Sequence, residues 1–462
     1  MERNYILQQL YNRYIEPTKK PRECFVGVEF EMPIVNLNNE PVDFHIVHNL
    51  TKLFCEKFTF AVVGIDDNGN VFSAQNRSNG DILSYDCSYN NLELSFGKEK
   101  NLNLIHERFL TYYGFIQEYF SRFNYTLTGM GVNPNRNINH NVPIETGRYR
   151  MLFHHLHSFN KYNIPMYFHK YPEYGTFSSA SQVQLDVDYD DLPLVLNTFS
   201  LLEPVKALIF SNSVLLGENE DVLCCRDMFW ENSPHGINSH NIGMYDCTFG
   251  SAQDILNYIA TTSIYCTERD GKYINFEPIN IIEYFVKETI VGEYCQNGEY
   301  YPIEFSPDIS DLNYLRTFKF EDLTFRGTVE FRSVCCQPVS DCMCVSAFHL
   351  GLMNKVNDLK NILENDTVLY HHGYTASELR KFLIKRSFPE FIDKNALYRL
   401  AKQIVDLSFE GLSERGFGEE VYLTPLYERI SQQTNPADKM LADIANGISL
   451  NEIIKKYAEA KR

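Results

Sequence analysis

The stretch FVGVEFEMPIV, residues 25–35, decides how this chain is read. Successive side chains of an extended strand point to opposite faces. Val26, Val28, Phe30, Met32 and Ile34 therefore share one face, and Gly27, Glu29 and Glu31 share the other. The first face belongs against a core. The second holds two glutamates with no cation between them, and carboxylates that close repel each other unless a metal ion neutralises them or one takes up a proton.

Three further stretches sort in the same way. In NNLELSF (90–96), Leu92, Leu94 and Phe96 oppose Asn91, Glu93 and Ser95, with Asp86 seven residues before Glu93. In SASQVQLDVD (179–188), Val183, Leu185 and Val187 oppose Gln182, Gln184, Asp186 and Asp188. In GTVEFRSV (327–334), Val329 and Phe331 oppose Thr328, Glu330 and Arg332. Any one of these alone reads as an amphipathic strand with a wet face. Their acids and amides together suit Mg²⁺, a hard ion that takes oxygen ligands and bridges carboxylates to nucleotide phosphates. Arg332 shares a face with Glu330, while Arg148 and Arg150 in TGRYRM and Arg226 in LCCRDMFW are further forks for carboxylate or phosphate.

The rest of the chain sets bounds. Its 462 residues are 44% apolar and 22% charged, an ordinary globular composition. A net charge of −18 argues against nucleic acid or an anionic membrane as a partner. ATP can still bind such a protein where metal ions and a few arginines reverse the sign locally. The N-terminus lacks a basic-then-apolar leader, and no stretch approaches the roughly 20 apolar residues that cross a bilayer. A cytoplasmic protein is expected. The 12 cysteines, among them Cys335-Cys336 and Cys224-Cys225, lack zinc-knuckle spacing and read as reduced thiols.

Strand-like and helix-like segments intermingle without a linker or repeat, which predicts one α+β domain over 1–462. Helices are expected at about 4–15, 101–123 and 190–210, and through most of the chain beyond 341. The segment FAVVGIDDNGNVFSA reads as a hairpin, and Asn435-Pro436 as an N-cap with proline at the first helical position.

These patterns, taken in order, resemble the glutamate–cysteine ligases of the plant and proteobacterial type, within the glutamine-synthetase-like carboxylate–amine ligases. VGVEFE is similar to the family's G-x-E-x-E strand, LELS to its second acidic segment, GRYRM to G-R-Y-K-I-M, and SQVQLDVD to T-V-Q-V-N-L-D. FSNSVLLGENEDVLCCRDMFW is similar to the asparagine-serine loop with M-R-S-x-x-W, VEFRSVCCQP to the E-x-R strand, and GLSERGF and TNPADKML to the C-terminal helices. The resemblance implies an antiparallel sheet curved into a funnel with helices on its convex face. It implies that Glu29, Glu31, Asp86, Glu93, Gln182 and Glu330 bind Mg²⁺ or Mn²⁺, and that Arg332 contacts ATP phosphates. Arg226 would hold the α-carboxylate of glutamate beside Gln184 and Trp230, and Arg148 would face substrate or phosphate.

The implied reaction passes through γ-glutamyl phosphate to γ-glutamylcysteine, as in glutathione biosynthesis, in a monomer or homodimer. The chain departs from the family at Phe153-His154-His155, where a second arginine is usual, at Cys335, where an aspartate is usual, and in a spacing from Asp86 to Glu93 one residue longer. Another amine as acceptor, a silent scaffold and a related guanidino phosphotransferase are the competing readings.

Overall fold

The strand expected at 25–35 spans Val26–Asn36 in the computed structural model, which describes residues 1–161 and 172–460. In chain order the strands are β1 (Val26–Asn36), β2 (Ala61–Ile65), β3 (Val71–Gln75), β4 (Ile82–Tyr85), β5 (Asn91–Glu99), β6 (Tyr125–Leu127), β7 (Ser181–Asp186), β8 (Ile242–Gly243), β9 (Ser263–Arg269), β10 (Lys272–Asn280), β11 (Ile290–Gln296), β12 (Glu299–Phe305), β13 (Phe318–Lys319), β14 (Glu321–Leu323) and β15 (Thr328–Phe331). The principal sheet runs β14-β15-β7-β1-β5-β4-β3-β2, with β6 on the far end of β1. Its pairs are antiparallel. β9 to β12 form a second sheet of four strands, and β8 and β13 pair in parallel.

β1 occupies the middle of the principal sheet because its apolar face has the most to bury. Val26, Val28, Phe30, Met32 and Ile34 are each at most 1% exposed, and a buried side chain of this size contributes about 1.5–3 kcal/mol. The helices Phe44–Phe58, Leu102–Ser121, Leu192–Phe210 and Met343–Asn354 pack on the strands from this side. In Leu102–Ser121 the Asn101 side chain caps the start, accepting from the Asn103 N–H at 2.8 Å. Ile105, Phe109, Tyr112, Ile116 and Phe120 then fall on one stripe, where the Phe109 ring meets Phe30 edge-on at 4.9 Å.

The expected hairpin forms from β2 and β3, its tip tied by Asp66 accepting from the Asn68 and Asn70 amides. Asn435 caps the helix Pro436–Ala445 as expected. The first helix runs Arg3–Leu10 and then widens into a π-turn over Tyr11–Ile15.

One expectation is corrected. The helix Leu192–Phe210, 19 residues long, is apolar enough to cross a bilayer by length and composition. It lies instead inside the protein, 78% buried, against the apolar side of the sheet. Among the described residues no other helix passes that test.

The helix Gly147–His157 runs beside β10 and β11. A Cβ on Gly147 would stand 2.7 Å from the Tyr273 ring of β10, so that only glycine lets this helix approach.

Candidate active site

Strand register turns the four polar faces into one wall. Glu31 on β1 lies opposite Glu93 on β5, and Glu29 lies between Ser95 on β5 and Gln182 on β7. Gln184 lies between Gly27 on β1 and Glu330 on β15, and Asp322 on β14 faces Glu330. Residues some 300 positions apart thus become neighbours on five adjacent strands.

The carboxylates are held by amides. Glu31 accepts from the Ala180 N–H at 2.7 Å and from Gln182 Nε2 at 2.6 Å. Gln184 Nε2 donates to Glu330 at 2.7 Å and to Glu29 at 3.2 Å, and its Oε1 accepts from Arg326 at 2.9 Å. Glu93 accepts from the Ser95 hydroxyl, and Arg332 donates to Glu330. Burial, then the charges of Glu330 and Glu93, hold the Glu29 carboxyl well above the ordinary carboxylate range. Burial and then Asp86 push Glu31 up to about 8, and the same two causes raise Glu93. Burial lifts Asp322 to about 6.

Among the described residues no three His, Cys, Asp or Glu side chains close on a single ion position, since the amides of Gln182 and Gln184 and the Arg332 guanidinium draw the acids onto themselves. The donor set nevertheless fits a hard divalent cation. Gln182 Nε2 is spent on Glu31, which leaves Gln182 Oε1 buried and without a partner among the described residues, beside carboxyls that repel one another.

Two cavities open on this wall. The first, about 260 Å³, is bounded by Glu31, Asp86, Arg148, Arg226, Trp230 and Arg332. Gln182 reaches it as well, with the apolar side chains of Met151, Leu156 and Phe318. The second, about 510 Å³, meets the wall at Gly27, Glu29, Ser95 and Gln184 and is ringed by Lys20, Arg22, Lys98 and Arg326. Glu330 connects them, through Gln184 to Glu29 and through Arg332 to the first cavity.

Trp230 lies one turn beyond Arg226 on the helix Arg226–Glu231 and stacks on Phe318 with ring centres 5.1 Å apart. Arg226 is not the free fork expected. Its Nη1 donates to the Ser333 carbonyl at 3.1 Å and its Nη2 to that of Arg332 at 3.5 Å, with Nε unpartnered among the described residues. Arg148 lies at the rim over the Tyr149 ring at 5.6 Å. Arg150 turns away to pair with Asp67 and Glu145 on the surface.

The departures also resolve. Phe153 is buried in the core, His154 bonds Glu293 and stacks on Tyr300, and His155 stacks on Tyr265 at 3.8 Å. Cys335 is buried with its Sγ 3.6 Å from that of Cys224.

Sequence reasoning missed Arg316, which lines the first cavity and whose carbonyl accepts from Asn241 Nδ2 at 2.9 Å, and Arg326 and Asp322. The last two were within reach. EDL and TVEF flank the turn Thr324–Gly327, and pairing them as a hairpin puts Asp322 opposite Glu330. Arg316 sits in a stretch with no periodicity to mark it.

No protein-family model matches the chain. It is similar to the chloroplastic glutamate–cysteine ligase of Solanum lycopersicum, 22% identical over 323 residues that cover 68% of this chain and 56% of that protein. It is also similar to the chloroplastic glutamate–cysteine ligase A of Oryza sativa subsp. indica, 23% identical over 68% of this chain and 60% of the other. The chain thus spans less than two thirds of the length of these relatives. Among solved structures, that of the glutamate–cysteine ligase of Francisella tularensis in complex with AMP superposes with a TM-score of 0.51 at 12% identity. The match covers 94% of this chain and 87% of that one, and the two share a fold.

Proposed function

We propose, from its kinship with the plant-type glutamate–cysteine ligases, that this chain is an ATP-dependent ligase joining the γ-carboxylate of glutamate to the amine of cysteine. The observation that carries the reading is the wall itself: acids and amides in register on β5, β1, β7 and β15, between one cavity rich in arginine and another ringed by basic side chains. An amphipathic strand with an ordinary wet face has no need of Glu31 and Glu330 at 6% exposure each.

In this reading the second cavity takes the nucleotide, with Lys20, Arg22, Lys98 and Arg326 offering charge to its phosphates. The first takes glutamate, its α-carboxylate facing Arg226, Arg148 and Arg316. The γ-carboxylate oxygen attacks the terminal phosphorus of ATP, and ADP leaves. The acceptor nitrogen then attacks the acyl carbon, phosphate leaves and the nitrogen gives up a proton. Arg332, tied to Glu330, stands where the two cavities meet and is the side chain best placed to steady the transferred phosphoryl group. Glu29, Glu31, Asp86, Glu93, Gln182 and Glu330 would hold a divalent metal ion, which when bound supplies positive charge to the phosphate oxygens. Holding the reactants side by side supplies much of the remaining acceleration.

A second reading, another amine as acceptor, is favoured by the apolar flank of the first cavity at Met151, Leu152 and Leu156. One assay addresses both. Purified protein with ATP and Mg²⁺ should release ADP and phosphate when glutamate and an amine are both present, with cysteine the best acceptor and 2-aminobutyrate within about two orders of magnitude. ADP release that ignores glutamate would sink the ligase. A non-thiol amine at least about tenfold better than cysteine in kcat/KM would move the acceptor alone.

A further inference from the structure

Behind the first cavity, and reaching its lining at Arg226, Asp227 and Ser333, lies a set of buried charges. Arg380, on the helix Ala376–Leu383, is 3% exposed. Its Nε and Nη2 donate to the two oxygens of Asp227 at 2.7 and 3.0 Å, and its Nη1 donates to Glu203 Oε2 at 2.6 Å and to the Glu203 carbonyl at 3.0 Å. Glu203, on Leu192–Phe210, also takes Lys206 and the Ser333 hydroxyl, the latter at 3.0 Å. The Ser333 carbonyl in turn accepts from Arg226. Since Arg226 and Asp227 are consecutive, the contacts close a ring: Arg226, Ser333, Glu203, Arg380, Asp227 and back along the chain.

Burying four charges is expensive even when they pair, and well-packed apolar side chains are often as stable or more so. The ring does something that apolar packing would not. It ties the start of Arg226–Glu231 to the segment that leaves β15, the two pieces of chain that carry Arg226 and Arg332. A planar fork with five donors makes all four bonds to Asp227 and Glu203 in one fixed geometry, which the three rotatable donors of an ammonium cannot do.

We infer that Arg380 is a positioning residue, acting through Asp227 and Glu203 to set Arg226 and the Arg332–Ser333 backbone for glutamate. The inference rests on the ligase reading for its kinetic consequence and on Trp230 for an independent one. Trp230 is the single tryptophan of the chain and rides on the same helix as Arg226.

The test compares Arg380→Lys and Ser333→Ala with the parent protein, each first shown by far-ultraviolet circular dichroism to be folded. Arg380→Lys keeps the charge and loses the fork, while Ser333→Ala removes one hydroxyl without stranding a charge. Both should shift Trp230 emission and raise the KM for glutamate, Arg380→Lys by about tenfold or more, with the KM for ATP within about twofold. If Arg380→Lys fails to fold, Ser333→Ala decides. Folded variants with unchanged glutamate KM and unchanged Trp230 emission would overturn the inference, as would equal losses for glutamate and ATP. Should the parent protein release no ADP with glutamate and any amine, the ligase reading fails, and Trp230 emission alone judges the ring.

Discussion

On the polar wall of the principal sheet, burial and then neighbouring acids hold the Glu29, Glu31 and Glu93 carboxyls above the ordinary range, whereas behind it Glu203 and Asp227 are matched by Lys206 and Arg380. Burial opposes the Glu203 charge as well, but Lys206 and Arg380 outweigh it and hold its carboxyl down to about 2. Depth does not separate the two clusters, since Glu31 is 6% exposed and Glu203 is 0%. The supply of cations does. The inner cluster meets Glu203 and Asp227 with Lys206 and Arg380, while its third acid, Glu321, is pushed well above the ordinary range by burial and then by Glu203. The wall leaves a larger deficit, which a proton or a cation from outside can fill. The cluster with its own cations holds chain segments in place, and the one left short of positive charge is placed to bind.

The sharpest way to break this contrast is to take one charge from each side. Glu330→Gln keeps the shape and removes a charge from the wall, so turnover should fall at least about a hundredfold while the unfolding midpoint holds or rises. Glu203→Gln should do the reverse to the fold. It takes from Lys206 its nearest carboxylate and leaves Arg380 with Asp227 alone, and denaturant titration should show a loss of about 3 kcal/mol. Loss of stability in Glu330→Gln, or none in Glu203→Gln, would erase the distinction.

Arg226→Lys belongs between these. It deletes the bonds to the Ser333 and Arg332 carbonyls, and the KM for glutamate should rise about tenfold with that for ATP nearly unchanged.

The smallest effect is one of pH. Glu31 has an ordinary value of 4.5 when unfolded and about 8 when folded and metal-free, so its contribution is whole below pH 4.5 and is lost as pH climbs through 8. Glu203 runs the other way, its contribution whole above 4.5 and lost as pH falls toward 2. Unfolding followed from pH 3 to 9 without metal should therefore sag at both ends. Glu31→Gln should flatten the alkaline limb, and Glu203→Gln the acid limb. Mg²⁺ added at pH 7 should release protons, seen by calorimetry in buffers of different ionisation enthalpy.

The two clusters also differ in how far the sequence betrays them. The wall could be read because a strand has a period of two, so Glu29 and Glu31 declare a common face without knowledge of any partner. Its neighbours Glu93, Gln182 and Glu330 followed from the same rule, although which strand lies beside which did not. The inner cluster could not be read. Glu203 and Lys206 sit three apart in an otherwise apolar helix, Arg380 is one of many helical arginines, and their meeting depends on how three helices cross. The same limit explains Arg226, picked out by its motif while its grip on the Ser333 carbonyl stayed hidden. It explains Arg150 too, whose acidic partners Asp67 and Glu145 come from other loops.

β1 gives Gly27 and Glu29 to one cavity and Glu31 to the other. The offset between the two sites is therefore the advance of a single strand, about 6.8 Å for two residues. A backbone ruler of this kind constrains how the gene can change. Inserting one codon between Gly27 and Glu31 would turn the downstream glutamate into the core and a core side chain onto the wall. Inserting two would preserve the faces and slide the cavities apart by the same increment. Lineages descended from this chain should therefore tolerate substitutions in β1 far more readily than changes in its length.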